Sequence, residues 1–534
     1  MGILHVIRGP VWRRSATMLM PLLLPLCAPL VTSTAAAQES TFVVSRTDST
    51  YLAYMREIFH LSRALGDSIW PGLDYNRVPI LLYRPDSIAF LFNHPNPPPE
   101  FEPAIGLPWA FQNPVYVHRG RVGDLTGQFW TEMDFNGQAT FVCPYDDDST
   151  REGRFFRFVA HEAFHTFQAM MFRDRADTDE KLYPITIVQN NTLATLENLI
   201  LAKAVDALIV DDRDEVLRRA RQFVIVRDRR LKVAPPFVRE HEQSEERKEN
   251  TAFYVEKRCE EAGRTRGYAP TEFRRCTRFD PYHSHKEVLQ TVHDGILEHL
   301  RGGAIAPVTM PRLRIYDNGA AVGYLLDYLG ADWKGQATAD SSFLFHGTLE
   351  QSIGPIGDAD SRRRELAAVE QEFAFAQILT AAAANIDDHN RQIETLARQI
   401  RSSGRIAYRI AAAVKRGVSK SSASSHKVLY SDAGQTALYE QADRFLVKTG
   451  PAAVTVRGRG LIYSRAADGK TITVEVFMDV LPSEIVVDGH ALPHDAETHA
   501  IQDSLRLTVG DELNVTGAAG TLTISRDTVF VAFQ

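Results

Sequence analysis

Residues 161 to 165 read His161-Glu162-Ala163-Phe164-His165, set in a stretch whose apolar residues recur at helical spacing. Phe155, Phe156, Phe158, Val159, Phe164, Phe167 and Met171 form the apolar stripe, and Ser149-Thr150-Arg151-Glu152 has the form of a capping box. A helix is therefore expected here, with Gly153 as a mild weakness near its start. Positions i and i+4 of a helix lie one above the other on one face, so two imidazoles four residues apart converge on one ion. Glu162 sits about 60° round the helix from His165, beside such an ion rather than under it. From there its carboxylate can take a proton from a water activated by the metal and pass it to a leaving amine. The pentapeptide thus implies a zinc (Zn2+) site with His161 and His165 as ligands, Glu162 as general base and acid, and hydrolysis of peptide bonds as its chemistry.

A catalytic zinc takes three protein ligands and a water, so a third ligand is expected downstream. The Gly and His that a metzincin would carry three and six residues after the second histidine are replaced by Gln168 and Met171. Between His165 and residue 200 the only glutamates are Glu180 and Glu197. Glu180 ends the charged run Asp174-Arg175-Ala176-Asp177-Thr178-Asp179-Glu180, which reads as a solvated loop. Glu197 lies on an apolar helical stripe among Leu193, Ala194, Ile200 and Leu201. A carboxylate in that position is costly unless it binds a metal or is paired. Glu197 is the expected third ligand; a buried salt bridge is the alternative.

With these residues the chain resembles the gluzincin group of zinc metallopeptidases, in which HExxH supplies two ligands and a glutamate on a following helix the third. The segment Tyr316-Asp317-Asn318-Gly319-Ala320-Ala321 is similar to the Tyr-x-x-Gly helix start of aminopeptidase-like gluzincins. The resemblance implies that the Tyr316 hydroxyl stabilises the oxyanion opposite Glu162; a packed tyrosine with a wet hydroxyl is the alternative. It also implies that the strand preceding the zinc helix, Ala139 to Cys143, offers an edge to an extended substrate, unless it is an ordinary internal strand. The resemblance spans roughly residues 70 to 335. No Gly-x-Met-Glu-Asn segment is present, so it is to the broader group.

A chain of 534 residues, 44% hydrophobic and 24% charged, can bury a large core. Residues 1–37 read as a signal peptide: Arg8, Arg13 and Arg14 precede the apolar run from Ala16 to Val31, with small residues up to Ala37. An exported protein, periplasmic or secreted, is expected, with no stable membrane span after cleavage. Its removal takes away three arginines and no acid, moving the formal charge from −7 to −10. Such an acidic protein is not expected to bind nucleic acid; its partner would be a peptide or protein substrate. In an oxidising compartment Cys259 and Cys276 are the natural disulfide pair, leaving Cys143 as a small buried hydrophobe.

The expected fold class is α+β: a mainly helical zincin-like catalytic domain with N-terminal strands, followed by a small all-β domain. Residues 38–135 form a mixed region with a helix at Tyr51 to Leu65 and strands at Val78 to Tyr83 and Ile88 to Phe92. Residues 136–418 form the catalytic region, with helical spacing at Ala202 to Val224, Glu287 to Leu300 and 362 to 403. The charge-dense stretch Arg227 to Arg247 reads as a solvated face or mobile loop. His283 and His285 are expected to be unliganded. Residues 419–426, rich in serine, read as a linker. Residues 427–534 alternate in short runs separated by turns such as Asp468-Gly469 and Asp488-Gly489, which suggests a β sandwich. An exported binding or assembly protein on a zincin scaffold, or a zinc hydrolase of non-peptide substrates, would carry much the same pattern.

Overall fold

The apolar runs on either side of Pro85-Asp86-Ser87 turn back on each other, with Asp86 at φ 56°. In a computed structural model they become β1 (Ile80–Arg84) and β2 (Ile88–Phe92), paired antiparallel. The structure describes residues 44–533 except 124, 126–130, 174–177, 415–417, 424–427, 432–435, 467–469, 494–497 and 526. The signal-peptide reading of residues 1–37 and the Asp468-Gly469 turn lie outside the described residues. The fold is α+β, and the chain divides into two compact units, Phe42–Arg391 and Gln392–Ser431 with Gln435–Gln534.

The first unit begins with α1 (Arg46–Ile69), whose N-terminus Ser45 and Asp48 close as a capping box. Its six-stranded sheet adds β3 (Glu102–Pro103), β4 (Val115–Arg119), β5 (Thr131–Phe135) and β6 (Gln138–Pro144), in the order β3-β4-β2-β1-β6-β5. β6 runs parallel to β1, with Ile80 opposite Phe141. The sheet takes strands from both sides of residue 135, so the mixed region at 38–135 runs on into the helical region that follows. β6 is also internal, between β1 and β5; the terminal strand next to it is β5. Both faces of the central strands are buried: Ile80, Leu82, Phe90 and Phe141 join the main core, while Leu81, Ala89, Leu91 and Val142 join a second cluster.

β6 leads directly into α2 (Ser149–Met171), the HExxH helix. Phe155, Phe164 and Phe167 are buried on its apolar face, each contributing about 2 to 3 kcal/mol of apolar burial. Glu152 in the first turn of α2 accepts from the Arg278 backbone N–H at 2.7 Å. Helices follow: α3 (Val188–Ile209), α4 (Arg213–Val233), α5 (Pro236–Glu245), a π-helical turn (Glu246–Asn250), α6 (Thr251–Ala262), α7 (His285–Glu298) and α8 (Leu313–Tyr328). The expected helix from Ala202 to Val224 is broken because Asp211 takes φ 56° and Asp212 caps α4 through its side chain. The 362 to 403 stretch is likewise two helices, α11 (Ala359–Glu372) and α12 (Phe375–Arg401), after the short α9 (Lys334–Ala339) and α10 (Phe345–Ile353); Ala374 at φ 50° separates them.

The Arg227 to Arg247 stretch is mostly helical, and several of its charged residues face the interior, while Lys232, Arg239 and Glu240 are exposed. Arg227, Arg230, Glu242 and Glu246 are all buried, because the opposite charges along α4, α5 and the π turn pair with one another. No disulfide joins Cys259 to Cys276: both are free thiols, as is Cys143. Cys259 lies inside α6 facing the core, 1% exposed, whereas Cys276 is a half-buried residue ending a short 3-10 turn. Among the described residues no helix is long and apolar enough to cross a membrane.

Beyond the last turns of α12, which end at Arg401, the second unit is all β among the described residues. A seven-stranded and an eight-stranded sheet share one core, in which Val454, Leu507 and Val515 of one sheet join Ile472, Val474 and Val529 of the other. It starts earlier than residue 427, since Ile406–Ala413 is a central strand paired with Thr471–Met478 and Thr528–Phe533. The stretch read as a linker contains the strand Ser419–Ala423, which pairs with Arg444–Thr449 at the end of the seven-stranded sheet. Polar residues suit a terminal strand of this kind. Asp488-Gly489 forms the expected turn, both residues at positive φ.

Candidate metal centre

His161 and His165 lie on one face of α2 with ring centroids 5.0 Å apart and edge to face. Their Nε2 atoms converge on a single carboxylate oxygen, Glu249 Oε2, at 3.5 Å from His161 and 3.3 Å from His165. Among the described residues this trio is the one cluster of His, Cys, Asp and Glu donors close enough to share an ion. Zinc with bonds of about 2.0 to 2.1 Å in tetrahedral geometry separates its donors by roughly 3.3 Å. The two histidine-to-carboxylate distances match that edge, so the donor set fits a zinc ion by chemistry and by spacing.

Glu249 comes from the π turn between α5 and α6. A π turn inserts an extra residue into helical winding and re-aims the side chains on it. Glu256 lies seven residues on, two helical turns away on the same face, and reaches the other nitrogen of the first ligand: its Oε2 is 3.3 Å from His161 Nδ1, without the alignment of a hydrogen bond. Lys257 Nζ, 3.2 Å from Glu256 Oε1, holds that carboxylate in its charged form. Burial works against a charge on His161, but contact with Glu249 and Glu256 outweighs it and lifts the imidazole to about 10. Burial likewise opposes ionisation of Glu249; the two histidines and Arg312 reverse this and hold its carboxyl well below the usual range. The site therefore favours positive charge between these side chains, which is what a divalent cation supplies.

Tyr316, in the first turn of α8, is at the site. Its hydroxyl donates to Glu249 Oε2 at 2.9 Å and accepts from Arg312 Nε at 2.8 Å, and its ring lies 5.7 Å from that of His161. Arg312 Nη2 donates to the other oxygen, Glu249 Oε1, at 3.0 Å. Gly319 explains the Tyr-x-x-Gly spacing physically. A Cβ there would stand 2.0 Å from Asn250 Cγ, and one at Gly323 would stand 2.6 Å from the Tyr254 ring. Two glycines one turn apart let α8 approach the π turn and α6 closely enough for Tyr316 to reach Glu249.

Glu162 is half-buried, adjacent to the two histidines in sequence, and has no hydrogen-bond or ion-pair partner among the described residues. Its carboxylate is left available for proton transfer. His285 Nδ1 lies 3.1 Å from Glu261 Oε1.

Comparison with family models, curated proteins and solved structures finds no match to this chain.

Glu197, the glutamate expected as third ligand, is not beside the histidines. It is fully buried, with Oε2 accepting from Arg227 Nε at 2.9 Å and Oε1 from Arg230 Nε at 2.6 Å. Both oxygens are thus spent on a buried ion-pair network that continues to Glu242, Glu246 and Arg314. The salt-bridge alternative accounts for it, and Glu249 takes the place beside His161 and His165. Glu249 escaped the sequence reading because it lies beyond residue 200, outside the interval from which a third ligand was expected. The signal that marks it is the pair Glu249 and Glu256 at i and i+7, flanking Phe253 on one helical face. Glu197→Gln is expected to lower unfolding free energy by about 3 kcal/mol, because it leaves two buried guanidiniums short of charge, with zinc affinity unchanged. Urea denaturation and a metal titration on the same variant check both halves.

Proposed function

We propose that this chain is a zinc-dependent peptidase in which His161, His165 and Glu249 hold the metal and Glu162 moves the proton. The observation that carries the reading is the convergence of the two Nε2 atoms and one carboxylate oxygen at the spacing of a tetrahedral zinc site. When bound, zinc supplies a Lewis acid that polarises a carbonyl and lowers the pKa of a water. Glu162 accepts the proton of the attacking water and returns it to the departing amine. The Tyr316 hydroxyl and the Arg312 guanidinium both donate to Glu249; from this place beside the metal site the hydroxyl would turn to the oxygen of an attacked carbonyl, where negative charge develops.

A peptide is favoured over other carbonyl substrates by the sheet beside α2. Among the described residues β5 ends the strand order, so an extended backbone can add to it, with main-chain hydrogen bonds holding the scissile bond near the helix. This moves the substrate-binding edge from Ala139–Cys143 to Thr131–Phe135.

Incubation with a diverse peptide mixture, read by mass spectrometry, tests the reading. Cleavage is expected that stops with a chelator and returns with zinc, and the product ends report whether cuts are internal or terminal. Cleavage that persists after complete metal removal, or its absence with zinc bound, contradicts the proposal.

A further inference from the structure

We infer that Gln168 is a positioning residue that fixes the ring and tautomer of His165, so that its Nε2 is the nitrogen directed at Glu249. The inference deepens the metal-site reading above and rests on it for its functional meaning.

Gln168 lies three residues after His165 on α2 and is fully buried. Its Nε2 is 2.8 Å from the Lys248 carbonyl oxygen, 3.4 Å from that of Arg247 and 2.7 Å from Thr251 Oγ1. Backbone carbonyls only accept, so the amide NH2 must face them and Oε1 must face the other way. The Thr251 hydroxyl is consistent with this, since it donates to the Arg247 carbonyl at 3.0 Å and keeps a lone pair for Gln168. On the other side Oε1 meets His165 Nδ1 at 2.8 Å. An amide oxygen has no proton to give, so Nδ1 carries it. In the neutral ring the lone pair then resides on Nε2, the atom 3.3 Å from Glu249 Oε2.

The same amide therefore touches both sides of the site. One end orients His165 on α2, and the other grips the π turn that carries Glu249, so the spacing between two ligands from different elements depends on one side chain. The histidines are also unequal. His161 has a carboxylate, Glu256, near its outer nitrogen, and His165 has a neutral amide. Outer partners of metal-bound histidines commonly change metal affinity by about 10- to 100-fold.

The test compares the parent with Gln168→Met, which keeps the bulk and removes both polar ends, and with Thr251→Val, which perturbs the π-turn side and spares the His165 contact. Nitrogen-15 NMR of the imidazoles is expected to show a slowly exchanging proton on His165 Nδ1 in the parent and in Thr251→Val, with or without zinc, and its loss in Gln168→Met. Zinc affinity is expected to fall about 10- to 100-fold in Gln168→Met and by less in Thr251→Val, which keeps the contacts of Gln168 with the Lys248 carbonyl and with His165. A parent His165 with no proton on Nδ1, or unchanged zinc affinity in Gln168→Met, overturns the inference. Should Gln168→Met fail to fold, the parent NMR signature alone decides. A parent that carries the Nδ1 proton yet binds no zinc upholds the positioning role and sinks the metal reading instead.

Discussion

Replacing Glu249 by alanine is expected to weaken zinc binding by roughly 10³-fold, about 4 kcal/mol, in a competition titration with a chromophoric chelator. Zinc bound by four protein ligands has an apparent binding free energy of roughly 10 to 16 kcal/mol, so loss of one anionic donor removes a share of that order. Glu249 is a demanding position for a further reason. Its Oε2 is shared by both histidines and the Tyr316 hydroxyl, and its Oε1 is held by Arg312. The carboxylate is thus aimed by three elements, α2, the π turn and α8. Glu249→Gln, which keeps the shape and the hydrogen-bonding oxygen while discarding the charge, should fall between the parent and the alanine variant. Equal affinity in all three proteins would place the metal elsewhere.

Glu162→Gln is expected to reduce kcat by about 10²- to 10⁴-fold while zinc content stays at the parent level. The carboxylate has no structural partner among the described residues, so its neutral replacement leaves nothing buried and unpaired. Stability should consequently change by less than about 1 kcal/mol. Steady-state cleavage of a peptide identified from the mixture, together with a thermal melt, separates the two effects. A variant that keeps parental kcat would remove Glu162 from proton transfer.

The HExxH helix and the strands were legible because periodic apolar burial is a local property. Ile88–Phe92 has the residues expected for it, and α2 covers the whole predicted stretch. What the sequence concealed was pairing over long separations. Arg227, Arg230, Glu242 and Glu246 are buried because they pair with one another and with Glu197 and Arg314, relations that charge density does not encode. Glu197 looked like a ligand for the right reason, since a carboxylate on an apolar stripe needs a cation. The cations it found were Arg227 and Arg230. The true neighbour of the histidines lies 84 residues beyond His165, on a π turn that no local pattern announces. Helix breaks at Asp211 and Ala374 were missed for a related reason, since neither is the glycine or proline that usually marks such a point. Tyr316 was found from a short motif; Gly319 and its fit against Asn250 give that motif its physical basis here.

Zinc per chain, measured by mass spectrometry of the metal after dialysis of the parent, Glu249→Ala and Glu197→Gln, tests the central claim most directly. The expected result is close to one in the parent, close to one in Glu197→Gln and far less in Glu249→Ala. A parent without zinc, or a loss that follows Glu197 rather than Glu249, would contradict the assignment of His161, His165 and Glu249 as the metal site.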